Sequence, residues 1–271
     1  MCRWLDTRLG EADRGDVEEH VPERLEAIEL MKNTQRLDKL LSNFGYGTRS
    51  EIRRAIKDLV IKVDGNLVKD TSLHVDPENS SIEINGERLQ YRKFIYLIMN
   101  KPAGVISATH DNKLRTANDL FPEKFSCFDL FPAGRLDIDT EGMLLLTNDG
   151  QLAHNLLTPK KHVSKRYYAR IDGLTTEEDV KLFKEGVILD DGYKTMPAEL
   201  EIIKAGLFSE IELVLHEGKF HQVKRMFEAV DKKVVYLKRI QMGGLKLDEA
   251  LEPGECRELT PEELELLKLQ Q

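Results

Sequence analysis

Three carboxylates in one short segment are the residues of this sequence best suited to chemistry. Asp137, Asp139 and Glu141 alternate within residues 134–142, which read GRLDIDTEG. The flanking glycines permit sharp bends and positive φ, and the apolar residues 143–147 that follow predict a buried strand. A turn anchored on a strand in this way could hold a metal ion, serve as a catalytic centre or simply form an acidic surface turn.

A calcium loop is the first alternative, and the ligand pattern argues against it. The D-x-[DN]-x-[DN]-G-x5-E motif needs Asp or Asn at its fifth position and a bidentate Glu at its twelfth. Those positions hold Glu141 and Asn148. Residues 143–146 are also strand-like, whereas a calcium loop leads into a helix. We therefore expect no metal site, while the surface turn stays open on this segment alone.

Four motifs in order resemble the RsuA-type ribosomal RNA pseudouridine synthases. GRLD at residues 134–137 is similar to the family's catalytic loop, NKPAG at 100–104 to its entry strand and turn, KRY at 165–167 to its Lys-x-Tyr motif, and EGKFHQVKRMF at 217–227 to its third motif. The resemblance implies an isomerase that converts a uridine in rRNA to pseudouridine. Residues 221–227 look most like the 16S rRNA branch. A 23S rRNA enzyme of the same family is the close alternative, and a non-catalytic RNA-binding assembly factor is the more distant one.

The resemblance also implies roles for three side chains. Asp137 would be the catalytic nucleophile, because Asp is ionised at pH 7 without an activating base. Attack at C1′ and a first action at the 2′ position both stay open. Tyr167 would stack on the uracil and take the C5 proton, and Lys224, where relatives often carry Arg, would keep Asp137 ionised and oriented. The reaction needs no cofactor, and we expect none.

Basic side chains are expected to hold the RNA. Arg135 would contact a phosphate or the flipped strand, Lys165 would contact the RNA backbone, and His221 is given no catalytic role. The full predicted RNA-binding set is Arg49, Arg53, Arg54, Lys57, Arg135, Lys165, Lys219 and Arg225.

Charge is segregated along the chain, so a net charge of −8 does not exclude an RNA partner. Residues 1–30 hold nine acids against four bases, and residues 248–271 hold eight acids against two bases. By contrast, residues 160–170 hold five bases and no acid, and residues 219–239 hold seven bases against two acids. RNA binding needs a basic face rather than a basic average.

Cysteine use and hydropathy favour a cytoplasmic protein. Cys2, Cys127 and Cys256 are isolated and odd in number, which argues against a disulfide framework and a zinc site. The longest apolar run, residues 94–99, is far too short to span a bilayer, and the N-terminus has no signal-peptide core. We expect a monomer whose partner is 16S rRNA or a small-subunit assembly intermediate, with no membrane contact.

Residues 35–92 predict a small α+β module. Leu37, Leu40, Leu41 and Phe44 have helical spacing before Gly45, and residues 48–51 have the spacing of a helix-capping box. Residues 60–68 predict a hairpin turning at Asp-Gly. The module resembles an RNA-binding domain shared by a small-subunit ribosomal protein and many RNA-modifying enzymes. The alternative is that its basic helix face is merely solvated.

The predicted fold class is α+β, with three segments. Residues 1–34 would be an acidic extension, disordered or artefactual, and Met31 is an alternative start. Residues 35–92 would be the RNA-binding module. Residues 93–271 would be a pseudouridine synthase catalytic domain built on a mixed, largely antiparallel sheet with flanking helices.

Overall fold

The structure is a computed structural model that describes residues 34–89 and 91–268. The chain folds into two compact units, of which the first ends at Tyr91 and the second begins at Arg92. The boundary expected from the sequence lies one residue further along. The expected extension at 1–34 falls, except for Thr34, outside the described residues. Among the described residues, no helix has both the length and the apolar character needed to cross a membrane.

The first unit joins two short helices to small antiparallel sheets, as the sequence predicted. Helix α1 spans Leu37–Asn43 and α2 spans Arg49–Ala55. The predicted capping box is present, because Thr48 Oγ1 accepts from the Glu51 amide and the Glu51 carboxylate accepts from the Thr48 amide at 2.7 Å. The strands are β1 Gln35–Arg36, β2 Ile61–Val63, β3 Asn66–Leu67, β4 His74–Val75, β5 Ile82–Ile84 and β6 Glu87–Arg88. Strand β1 pairs with β4, and the other four pair in the order β3-β2-β5-β6.

A buried carboxylate links the two helices of this unit. The side chain of Asp38 is inaccessible to solvent and accepts from Arg36 at 2.7 Å and from Arg53 at 3.0 Å. The hydrogen bond from Arg36 outweighs the effect of burial and, together with Arg53, lowers the pKa of Asp38 to about 2. Arg53 therefore contributes to the folding of the unit, because it satisfies a charge that would otherwise be buried with fewer partners.

The second unit is built on a mixed sheet that has nine strands in the described part of the chain. Its order is β11-β12-β10-β13-β9-β7-β15, with β8 beside β9 and β14 beside β13. Within these residues β13 and β9 are parallel and the other paired strands are antiparallel, so the predicted mixed, largely antiparallel sheet is confirmed. The strands are β7 Tyr96–Lys101, β8 Phe131–Pro132, β9 Glu141–Thr147, β10 Lys165–Asp172, β11 Glu199–Lys204, β12 Phe208–Leu215, β13 Lys233–Met242, β14 Leu245–Lys246 and β15 Cys256–Glu258.

Helices cover both faces of this sheet. The helices are α3 Gly150–Leu157, α4 Glu177–Glu185, α5 Gln222–Glu228 and α6 Pro261–Lys268. Buried side chains of α4 and α5 pack on the face that carries Leu97 and Leu144, whereas α3 and α6 pack on the face that carries Ile98 and Leu145. Because side chains alternate along a strand, Lys101 lies on the same face as Leu97.

Candidate active site

The turn before β9 positions Asp137. The amide of Thr140 donates to the Asp137 carbonyl at 3.1 Å and closes the turn. Gly142 follows with a φ of +97°, and a Cβ added there would overlap the carbonyl oxygen of Arg239. Glycine is therefore required for β13 to approach the base of the turn.

One ammonium group bridges two of the three carboxylates. Lys224, on α5, places Nζ 3.3 Å from Asp137 Oδ2 and 2.6 Å from Asp139 Oδ1. Burial alone would lower the pKa of Lys224, but the hydrogen bond to Asp139 and the charge of Asp137 raise it above its ordinary value. Nε2 of His221 lies 3.7 Å from Asp137 Oδ1, so a second nitrogen group faces the carboxylate. The structure thus brings Lys224 to Asp137, as its proposed role requires.

The third carboxylate points elsewhere. Glu141 Oε2 accepts from the hydroxyl of Tyr236 at 2.7 Å, and burial together with this bond raises the pKa of Tyr236 to about 12. Asp139 anchors Lys224. In the described residues, no group of three or more His, Cys, Asp or Glu side chains is arranged as metal ligands. The side chain of Asp137 is 26% exposed, and its contact to Lys224 is longer than that of Asp139.

A buried lysine stabilises the backbone of the turn through hydrogen bonds. Lys101 is fully buried, and its Nζ donates to the carbonyls of Thr140 at 2.8 Å and Pro102 at 3.0 Å. Burial lowers the pKa of Lys101 to about 8, although the nearby carboxylates act in the opposite direction. Lys101 belongs to the NKPAG motif, but the sequence predicted no role for it. A lysine two residues after the apolar run at 94–99 was the available signal.

Strand register places the base of the turn in one row with Tyr167, two strand spacings away. Lys101 pairs with Gly142, Gly142 with Arg239 and Arg239 with Tyr167 across four adjacent strands. Arg239 is buried, and its Nε donates to the Met143 carbonyl at 2.8 Å. Its Nη2 is buried without a hydrogen-bond partner among the described residues.

Lys165 does not lie where a contact to the RNA backbone would require. It is 7% exposed, and its Nζ donates to the Val163 carbonyl at 3.1 Å. Burial, with the charge of Arg239, lowers the pKa of Lys165 to about 8. The reason is that β10 begins at Lys165, so alternation places its side chain on the buried side with Tyr167. Tyr167 is 9% exposed, and Tyr168 on the other side donates to Glu210 at 2.7 Å.

The other predicted RNA contacts divide into free and paired cations. In the first unit Arg49, Arg54 and Lys57 are exposed, whereas Arg53 is bonded to Asp38. In the second unit Arg135 and Lys219 are exposed. Arg225 is instead paired with Asp190 and, at 2.7 Å, with Asp191, and its side chain is 15% exposed. The expectation that Arg225 contacts RNA does not fit this placement, because two carboxylates already neutralise its charge.

Comparison with known proteins decides the family. Residues 95–229 match the family model described as RNA pseudouridylate synthase, and residues 35–80 match the S4 domain. The RNA pseudouridine synthase YtzG of Bacillus subtilis is 52% identical over 86% of this chain and 98% of its own length. The chain belongs to the RsuA-type family of RNA pseudouridine synthases. Its ribosomal relatives include small subunit pseudouridine synthase A of Vibrio cholerae, 39% identical over 84% of this chain and 97% of the relative. They also include large subunit pseudouridine synthase B of Bacillus subtilis, 37% identical over 86% and 96%.

This pseudouridine synthase has the organisation that the sequence predicted, with an S4 domain followed by a catalytic domain. The predicted family, fold class and enzyme class are confirmed, and the alternative of a non-catalytic assembly factor is set aside. The synthase match includes Lys101, Asp137, Tyr167 and Lys224 and ends before Arg239. The row that joins the turn to Tyr167 therefore draws on a strand outside the matched segment.

Proposed function

We propose that this pseudouridine synthase isomerises one uridine of 16S rRNA, with Asp137 as the nucleophile. The observation that carries the proposal is the partly exposed Asp137 carboxylate, 3.3 Å from Lys224 on a turn fixed from below by Lys101. The HQVKRMF sequence at 221–227 and the 39% identical small-subunit enzyme support 16S rRNA as the substrate.

The chemistry follows from the position of the carboxylate. Asp137 attacks C1′ of the flipped uridine, and the electron pair of the breaking C1′–N1 bond passes to the uracil. The uracil turns against Tyr167, and its C5 displaces Asp137 from C1′. The C5 proton leaves through Tyr167 while N1 gains one, so the product is an isomer of the substrate. Lys224 keeps Asp137 ionised and oriented before the first displacement, and it stabilises the carboxylate again when the second displacement releases it.

Binding to structured RNA must offset the cost of flipping, which is a few kcal/mol. The S4 domain presents Arg49, Arg54 and Lys57 to solvent, and the catalytic domain presents Arg135 and Lys219. Phosphate contacts from these cations would make affinity fall with salt. Arg53 is left out of this set because its guanidinium bonds to Asp38.

A 23S rRNA target is the second candidate, favoured by the 37% identical large-subunit enzyme. Pseudouridines should be mapped in both rRNAs from cells with and without this gene. Loss of one site in 16S rRNA supports the proposal, and loss confined to 23S rRNA replaces the target. An unchanged map in both rRNAs removes ribosomal RNA as the substrate.

The proposal also covers the oligomeric state of the enzyme, its compartment and the form of its RNA substrate. We propose a cytoplasmic monomer that acts on 16S rRNA or on a small-subunit assembly intermediate. Light scattering of the purified chain with and without RNA tests the first part. Turnover on naked 16S transcript against isolated assembly intermediates tests the second.

A further inference from the structure

The exposed aromatic residue Phe220 directly precedes His221, whose imidazole faces Asp137. Phe220 is 72% exposed. Its ring stacks on that of His221, with centroids 3.8 Å apart and planes 17° from parallel. Because His221 Nε2 is 3.7 Å from Asp137 Oδ1, Phe220 is separated from the reacting group by a single ring.

The loop that carries Phe220 is held rigidly by buried polar groups. Buried Glu217 accepts from Gln222 at 2.7 Å, from the amide of Met196 at 2.8 Å and from the hydroxyl of Tyr193 at 2.7 Å. Gln222 in turn accepts from the amide of Lys219 at 2.8 Å. A loose surface loop needs no such anchoring, so the exposed ring is presented in a defined position.

The backbone supports the same arrangement. His221 has a φ of +49°, a left-handed conformation that is uncommon for residues other than glycine. It sits directly before α5, the helix that carries Lys224. The left-handed conformation of His221 therefore joins the Phe220–His221 ring pair to the helix that carries Lys224, the cation bonded to Asp137.

Charge beside the ring matches a nucleic-acid surface. Lys219 is exposed, with its Nζ 4.6 Å from the centre of the Tyr193 ring. Cations interleaved with exposed aromatic rings are the usual means of holding unpaired bases, because each base offers a stacking face and each phosphate a charge.

We propose that Phe220, backed by His221, is a stacking platform for an unpaired nucleobase that flanks the target uridine in the substrate RNA. The target uracil itself is assigned to Tyr167, which is buried in the sheet row, whereas the free side of Phe220 faces solvent. Stacking of the neighbouring base offsets part of the cost of opening the RNA. The inference rests on the proposed function, in that Asp137 receives the target uridine.

Combining substitutions of Phe220 with abasic residues in the RNA tests the platform. Synthetic RNA hairpins spanning the mapped uridine carry an abasic residue at each flanking position in turn. Phe220→Ala should weaken binding and lower kcat/KM on the intact hairpin by roughly 5- to 100-fold, and Phe220→Trp should restore both. At one flanking position, the abasic residue should lower the affinity and the kcat/KM of wild type by the same factor. It should not lower those of Phe220→Ala any further. Phe208→Ala removes a ring that is 63% exposed elsewhere in the same unit and serves as the control.

Three results would overturn the platform: Phe220→Ala binding within twofold of wild type, full additivity at every flanking position, or failure of Phe220→Trp to restore binding. Circular dichroism of each variant excludes misfolding as the cause. If wild type binds the hairpin without making pseudouridine, the proposed function fails while the binding cycle still reports on the platform.

Discussion

Replacing Lys101 with Met should separate activity from stability. The variant loses the ammonium donor to the carbonyls of Thr140 and Pro102. Unpaired buried carbonyls cost about 1–3 kcal/mol each. In the opposite direction, the variant no longer buries an ammonium whose pKa has fallen from 10.5 to about 8. That shift corresponds to about 3 kcal/mol. Two carbonyls together cost about 2–6 kcal/mol. Near pH 7 the opposing effect offsets half or more of this, so the free energy of unfolding should fall by at most about 3 kcal/mol.

Activity should respond differently, because the turn that carries Asp137 loses its support. A displacement of about 1 Å at a reacting group costs about 100-fold in rate. Pseudouridine formation by Lys101→Met should therefore fall by about that factor. The control is Lys184→Met, which removes an exposed lysine of the same unit from outside the basic clusters at 160–170 and 219–239.

The pH dependence of stability gives an independent check. Between pH 8 and 10.5 the unfolded chain keeps the Lys101 proton and the folded chain has lost it, so wild type gains stability as pH rises. The gain is about 3 kcal/mol and should be missing from Lys101→Met. Lys165 titrates in the same range but is present in both proteins, so the difference isolates Lys101. Urea unfolding followed by circular dichroism measures it. Activity within threefold of wild type, or a difference in unfolding free energy that does not change with pH, would contradict the role given to Lys101.

Two further comparisons test the structural assignments. Arg53→Ala should lower S4-domain stability by roughly 1–3 kcal/mol, because it removes a partner of buried Asp38. Arg54→Ala should leave stability unchanged and reduce the salt dependence of RNA binding. Equal unfolding curves for the two variants would contradict the ion pair between Arg53 and Asp38. Gly142→Ala should destabilise by roughly 2–5 kcal/mol through its positive φ and overlap with a β13 carbonyl. Gly104→Ala, with a φ of +81° and open space around it, isolates the conformational part; thermal unfolding that shifts equally in both would remove the overlap argument.

Local signals predicted much of this fold. The capping box at Thr48 and Glu51 depends only on neighbours three residues apart, and the structure contains it. The Asp137 turn was found because its glycines and acids lie within nine residues. The family resemblance then supplied Lys224, which no local pattern connects to Asp137.

Long-range packing explains what the sequence did not predict. A basic residue is expected at the surface, yet Lys165 is buried because β10 begins two residues before Tyr167. Arg225 meets Asp190 and Asp191 from a distant segment, and Arg53 meets Asp38 across two helices. Such pairings depend on the tertiary fold and change which cations are free to bind RNA.

Replacing the carboxylate of Asp137 with an amide tests its proposed role as the nucleophile. Asp137→Asn should be introduced into cells that lack the chromosomal gene, and the affected rRNA position should be mapped for pseudouridine, with RNA affinity measured in vitro. If Asp137 is the nucleophile, that position should carry no pseudouridine, and the Kd should stay within a few-fold of wild type. Pseudouridine at the wild-type level in the Asn variant would contradict that role.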